Sequence, residues 1–274
     1  MIKLIALDLD GTLLDSQKRL SQRNEDVLKE CIRHGIEIVP CTGRIWNGVP
    51  DFIRNIPGIH YAITINGAVV EDVISRRVLR ERKMSVEQAM EILELAKKFE
   101  TMYDVYVNGH GYGEARFMDH MERYGVDPGI RDMVRRTRQI VPDVAEKVKE
   151  LDEPVEKINY FFGDQEERSR ARLALEARGD MVISSSFRNN LEINLAGATK
   201  GDGIRCLAEH LGLNPEETMG FGDGENDITM MQLAGIGVAM GNGEDSVKAA
   251  ADYVTDINDA DGVALAIEKF VLNA

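Results

Sequence analysis

Disulfide chemistry has little to work with in this sequence. Its 274 residues include three cysteines, Cys31, Cys41 and Cys206, an odd and widely spaced set without a CxxC pair, which argues against a disulfide framework, a zinc site or a redox switch. Buried or free reduced thiols are expected instead. Long apolar runs are also missing: Met1 leads straight into the strand-like Ile2 to Leu7 with no charged leader, and no span reaches the ~20 apolar residues that cross a bilayer. A cytoplasmic location is the default that follows. Internal repeats and low-complexity tracts are absent, and positive charge is scarce. The 33 Lys and Arg against 47 Asp and Glu leave a net charge of −14, so nucleic acid and anionic membrane would be repelled unless a basic patch were segregated. An anionic substrate would be repelled too, unless a metal ion intervened. The shortage is sharpest in residues 192–274, with 4 basic and 15 acidic side chains, where a bound divalent metal or simply a solvated acidic surface accounts for the excess.

Hydrophobic residues at 43% and charged residues at 29% suit a globular chain, either one large domain or a core carrying a second module. Ile2 to Leu7 reads as a buried strand that stops at Asp8-Leu9-Asp10-Gly11-Thr12. Ser21 caps a predicted helix with Val27, Leu28, Cys31 and Ile32 on one face, ending at Gly35, and Ile36 to Pro40 reads as the next strand. Tyr61 to Ile65 precedes a turn at Asn66-Gly67. This alternation predicts a parallel sheet covered by helices, with ligands gathered at the carboxyl ends of the strands. Near Met84 the rhythm changes: Ser85 and Gln88 form a potential capping box, and residues 84–191, with strand candidates at Lys157 to Phe162 and Met181 to Ser184, read as an inserted α+β module. The α/β pattern then returns with strands at Thr218 to Phe221 and Ile236 to Met240 and a last helix from Gly262 to Val271.

The chemistry concentrates at strand ends. Asp8 and Asp10, at i and i+2, would project to one side of an ideal strand, with Gly11 allowing a sharp departure, although a lone DxDGT can be only an Asp-rich turn. Thr42-Gly43-Arg44 places a hydroxyl, a backbone amide and a guanidinium at the same sheet edge, where a phosphate could be held. Gly222-Asp223-Gly224-Glu225-Asn226-Asp227 crowds three acids and an amide after a strand, a set of oxygen donors for a hard cation. Its GxGxG spacing is not a dinucleotide fingerprint, and acids where pyrophosphate should sit would repel it. Taken alone, Lys200 reads as a solvated surface charge. Met230, Met231 and Trp46 read as packing residues. Arg131, Arg135, Arg136 and Arg138 read as a solvated helix face, with a second anion-binding role as the sharper alternative.

Together these residues, in this order, resemble the haloacid dehalogenase-like superfamily: DxDGT at Asp8 to Thr12, Thr42, Lys200, and GDxxND at Gly222 to Asp227. The long insertion, the Asn66-Gly67-Ala68 turn and the segment Asn258 to Val263 resemble the Cof-type hydrolases. The resemblance implies a Rossmann-like core at 1–83 and 192–274, with 84–191 as a type IIB cap that sets substrate specificity. It implies that Asp8 is a nucleophile forming an aspartyl-phosphate and that Asp10 is the acid and base. Mg²⁺ would be held by Asp8, the Asp10 backbone carbonyl and Asp223, with Asp227 acting through water or from behind. Thr42, Gly43, Lys200 and Asn226, together with Arg44 at the same sheet edge, would bind phosphate. The expected partner is a small phosphorylated metabolite, sugar phosphates first, while pyridoxal phosphate, phosphoglycolate and flavin mononucleotide stay open. Nucleic acid and membrane are not expected partners, and oligomeric state is not specified. A phosphomutase of the same superfamily and a non-catalytic binding protein are the competing readings.

Overall fold

The computed structural model describes residues 1–273, and the chain divides into two compact units, Met1–Glu81 with Thr199–Ala274, and Arg82–Ala198. In chain order, the first unit opens with β1 (Leu4–Leu7), β2 (Glu37–Pro40), β3 (Tyr61–Thr64), β4 (Val69–Asp72) and β5 (Arg77–Glu81). The second unit holds β6 (Met102–Val107), β7 (His110–Glu114), β8 (Arg138–Val141), β9 (Val155–Phe161), β10 (Met181–Ser184) and β11 (Asn190–Leu195). The chain then returns to the first unit with β12 (Thr218–Gly222), β13 (Ile236–Ala239) and β14 (Tyr253–Val254).

The first unit is built on a sheet in the order β14-β13-β12-β1-β2, parallel throughout. A parallel sheet is covered on both faces, so its central strand must be apolar at every position, and all four residues of β1 are buried. Their alternation divides two cores. Ile5 and Leu7 pack with Val27, Leu28, Val263 and Ile267 on one face, whereas Leu4 and Ala6 join Ile204, Leu207 and Met230 on the other. The helix Gln22–Arg33 begins at Ser21, whose side chain accepts the Asn24 amide, as its sequence predicts. After β1 the chain builds outward to β2 on one side and later to β12 on the other. The carboxyl end of β1 is therefore a topological switch point, the place where open α/β sheets bind ligands. A separate antiparallel sheet, β3-β4-β5, touches the strand-β2 edge through a bridge between Cys41 and Ile63.

The second unit carries a six-stranded sheet ordered β10-β11-β9-β6-β7-β8, antiparallel except for the β7–β8 pair. The capping box predicted at Ser85 and Gln88 starts the helix Val86–Ala96. Its Ala89, Ile92, Leu93 and Ala96 pack with Ile158, Tyr160 and Ile193 of the sheet. Two sequence expectations change here. The return to the first unit expected at residue 192 falls inside β11, whose Asn190 to Ile193 pair with β9. A strand that closes one unit and leads into another has no local boundary signal, because its partner is remote in sequence. Arg138 also leaves the expected solvated helix face: it opens β8, is 9% exposed, and its Nε donates to Asp104 Oδ2 at 2.9 Å.

Met230, Met231 and the thiols of Cys31 and Cys41 are buried, and Trp46 packs against the first unit's core. All three cysteines are free. Among the described residues no helix is long and apolar enough to cross a membrane.

Candidate active site

Asp8 follows β1 directly and is 6% exposed. The side chain that meets it comes from a distant helix: Lys200, fully buried, donates through Nζ to Asp8 Oδ1 at 2.6 Å and to Asp227 Oδ1 at 2.5 Å. Burial overturns the reading of Lys200 as a surface charge, because an ammonium with no exposure persists only when paired. It is delivered by the first turn of Lys200–Leu211, whose cap Thr199 accepts the Asp202 amide.

The acidic loop after β12 closes around Asp227. One oxygen of Asp227 takes Lys200; the other accepts the backbone amides of Asp223 and Gly224, each at 3.0 Å. Gly222 is required beside it, since a Cβ there would stand 2.3 Å from the Cβ of Asp227. Asp223 Oδ1 accepts from the Thr12 hydroxyl at 2.9 Å. Gly11, at φ +86°, brings the backbone so close that a Cβ would meet Asp223 Oδ2 at 2.3 Å.

Asp8, Asp223 and Asp227 each offer an oxygen within 4.8 Å of the others. Burial raises the pKa of Asp8 well above the usual carboxylate range, and the charges of Asp227 and Asp223 add to it against the pull of Lys200. Asp223 is pushed up to about 7, first by burial and then by Asp227, with Thr12 and Lys200 opposing. One ammonium is thus too little cation for three clustered carboxylates, two of them buried and that of Asp223 partly so. An all-oxygen donor set with uncompensated negative charge suits a hard divalent ion.

Asp10 behaves differently. The strand rule that would align it with Asp8 fails because β1 ends at Leu7 and a turn begins. The Asp10 carboxylate is instead gripped by Arg44, Nε to Oδ2 at 2.7 Å and Nη2 to Oδ1 at 2.6 Å, and Lys18 adds a contact at 2.8 Å. Burial alone would raise its pKa, but the hydrogen bond and charge of Arg44, with Lys18, bring it down to about 2. It still lies near enough for its charge to raise Asp8.

The phosphate-binding candidates fall into two groups. Lys200 is in the carboxylate cluster. Thr42, 1% exposed, follows β2 and accepts the Arg44 amide on its hydroxyl at 3.2 Å. Its carbonyl accepts the Asn66 amide at 3.0 Å, which ties the Thr42-Gly43-Arg44 turn to the Asn66-Gly67 turn. Asn226 donates through Nδ2 to Asn66 Oδ1 at 3.1 Å. Ile65 and Asn66 both sit at positive φ, 53° and 59°, an uncommon conformation for a β-branched residue.

The chain that builds this arrangement, a buried aspartate after the first strand held by a lysine from a remote helix beside an acidic loop, is similar to known proteins. The profile of the haloacid dehalogenase-like hydrolases matches residues 5–267. The chain belongs to this family. Phosphatase YwpJ of Bacillus subtilis is 32% identical over 281 residues, covering 96% of this chain and 98% of the relative. The 5-amino-6-(5-phospho-D-ribitylamino)uracil phosphatase YcsE of the same organism is 31% identical over 273 residues, covering 99% and 96%. The solved structure of the HAD subclass IIB sugar phosphatase BT4131 matches with a TM-score of 0.82 at 25% identity, covering 98% of each chain. Among haloacid dehalogenase-like proteins, this one is therefore a phosphatase of the Cof type, a phosphoric monoester hydrolase.

Sequence reasoning missed three participants of this haloacid dehalogenase-like site. In sequence Thr12 is only the end of DxDGT, yet it holds Asp223. Asn66 reads as a turn residue, yet it holds Asn226. Lys18, just past the DxDGT motif and outside it, reaches Asp10. The Asn-Gly turn after a strand was the one available signal; the other two contacts need the folded chain.

Proposed function

We propose that this phosphatase is Mg²⁺-dependent and hydrolyses small phosphomonoesters, sugar phosphates or related metabolites, through a phosphorylated Asp8. The observation that carries the reading is the buried pairing of Asp8 with Lys200 inside a cluster of two further carboxylates. An Asp8 oxygen attacks phosphorus, the bond from phosphorus to the leaving oxygen breaks, and Asp10 gives that oxygen a proton. Water then attacks the aspartyl-phosphate, Asp10 takes its proton, and phosphate leaves as the Asp8 carboxylate is restored. Asp10 is ionised in its pair with Arg44 in the free enzyme; the incoming phosphate dianion raises its proton affinity against Arg44 and Lys18, so it takes up a proton from water before the leaving oxygen departs, and it returns a proton to water once phosphate has left.

Lys200, Thr42, the Gly43 amide and Asn226 hold the phosphoryl oxygens, where fixed donors stabilise charge as it redistributes. Asp8, the Asp10 carbonyl and Asp223 would hold Mg²⁺, with Asp227 acting through water or by orienting the loop. The ion would offset the repulsion between carboxylate and phosphate. The raised pKa values of Asp8 and Asp223 support a cation there. The unit Arg82–Ala198 would act as the cap that selects the leaving group. A sugar-like leaving group is suggested by two of the relatives, one named for a ribityl phosphate and one for a sugar phosphate, while a third is named for pyridoxal phosphate. The thiols are free, consistent with a cytoplasmic location.

Phosphate release from a panel of phosphomonoesters, with Mg²⁺, with EDTA and for Asp8→Asn, tests the proposal. Release should require metal and vanish in Asp8→Asn. Full activity of Asp8→Asn would exclude the covalent route, and transfer to a second hydroxyl without net phosphate release would indicate a mutase.

A further inference from the structure

Arg44 was expected to bind phosphate, but its contacts point elsewhere. Both oxygens of Asp10 take the guanidinium, at 2.6 and 2.7 Å, in the fork geometry that fixes a carboxylate's plane as well as its position. The third nitrogen, Nη1, donates to the Gly48 carbonyl at 2.9 Å. The backbone is anchored on both sides: the Arg44 amide donates to Thr42 Oγ1 at 3.2 Å, and its carbonyl accepts the Ile65 amide at 3.0 Å. The side chains of Arg44 and Asp10 are 19% and 27% exposed, so the pair is shielded and rigidly mounted. Asp10 lies beyond the end of β1, in a turn where no strand geometry directs its side chain. Something else has to aim it.

We propose that Arg44 is a positioning residue that aims the Asp10 carboxylate at the leaving oxygen and does not itself hold the substrate phosphate. This rests on the reading of Asp10 as the acid and base. Lys18, on an exposed turn and 54% exposed, is an auxiliary contact. The Thr42-Gly43-Arg44 turn then has divided labour: Thr42 and Gly43 face phosphate chemistry, while Arg44 reaches back to the Asp8-to-Thr12 loop.

Leaving-group dependence separates the alternatives. Protonation matters greatly for an alkoxide and little for p-nitrophenolate, which departs as a stable anion. The value of kcat/KM reports the steps up to transfer onto Asp8, so it isolates that protonation from the later attack of water. For Arg44→Ala, kcat/KM should fall on the order of 10- to 100-fold with glycerol phosphate, less with phenyl phosphate, and by less than about threefold with p-nitrophenyl phosphate. Competitive inhibition by inorganic phosphate should be unchanged. Arg44→Lys keeps a cation but loses the fork, and should behave like Arg44→Ala. The proposal is overturned if all three substrates lose kcat/KM alike, if phosphate inhibition weakens, or if Arg44→Lys restores activity, since each is what a phosphate-binding arginine would give. Asp10→Asn serves as reference. If it shows no leaving-group selectivity, the assignment of Asp10 fails; if Asp10→Asn is selective and Arg44→Ala is not, only the role of Arg44 fails. Should Arg44→Ala fail to fold by circular dichroism, Arg44→Gln and Arg44→Lys carry the same comparison.

Discussion

The ammonium of Lys200 has no exposure to solvent and is held by the two carboxylates it bonds. Removing one partner of such a buried set leaves the other charges without compensation, which costs about 3–5 kcal/mol when they stay ionised. Lys200→Met should therefore lower the denaturation midpoint at pH 8. The loss should shrink at pH 5.5, because Asp8 and Asp223 can then take up protons and cease to repel. Equal midpoints for mutant and wild type at pH 8 would show that the pairing is not a stability element. Lys200 also illustrates the limit of reading single residues: a lone lysine in Thr199-Lys200-Gly201 carries no local sign of burial, and only its company with DxDGT and GDxxND made it a candidate. Asp223 and Asp227 were easier to recognise, since acids this dense between glycines have few structural uses.

At the scale of elements, the site is assembled from five chain segments: the turns after β1, β2 and β3, the loop after β12 and the start of the helix Lys200–Leu211. That helix begins against a close backbone contact, for a Cβ at Gly67 (φ +91°) would lie 2.0 Å from the Thr199 carbonyl. Thr199 caps the helix through its hydroxyl and so sets where Lys200 points. Thr199→Ala should cost about 1 kcal/mol of stability and weaken inhibition by inorganic phosphate severalfold. A change in stability without any change in phosphate inhibition would separate the cap from the site. Strands and helices were legible at this scale because their apolar periods are local: Ser21, the 181–184 strand and the Ser85–Gln88 box fall where the sequence placed them. The end of the second unit was not legible, because β11 is defined by its pairing with β9.

For the whole molecule, each unit has its own core, so unfolding need not be a single transition. The unbalanced carboxylates lie in the unit Met1–Glu81 with Thr199–Ala274, while buried pairs of the other unit, such as Lys157 with Glu192 at 3.0 Å, are matched in charge. Asp223 has a folded pKa of about 7 against an ordinary 3.8. Between those values the folded state binds more protons than the unfolded state, so stability falls as pH rises through that window. In EDTA the melting transition of the first unit should therefore drop by a few degrees from pH 5 to pH 8. Mg²⁺ should restore it at pH 8, because a ligand that binds only the folded state stabilises it. A pH-independent transition, or one indifferent to Mg²⁺, would count against cation binding at this cluster. By itself the amino-acid sequence determined the α/β alternation, the insertion and the motifs that carry the family, because apolar period, turn chemistry and clustered acids are written locally. The tertiary structure alone decided that Lys200 is buried on Asp8, that Thr12 and Asn66 support the site, and that Arg44 grips Asp10: the contacts of Lys200, Thr12 and Asn66 join residues from opposite parts of the chain that meet only in the folded core, and that of Arg44 joins the turns after the paired strands β1 and β2.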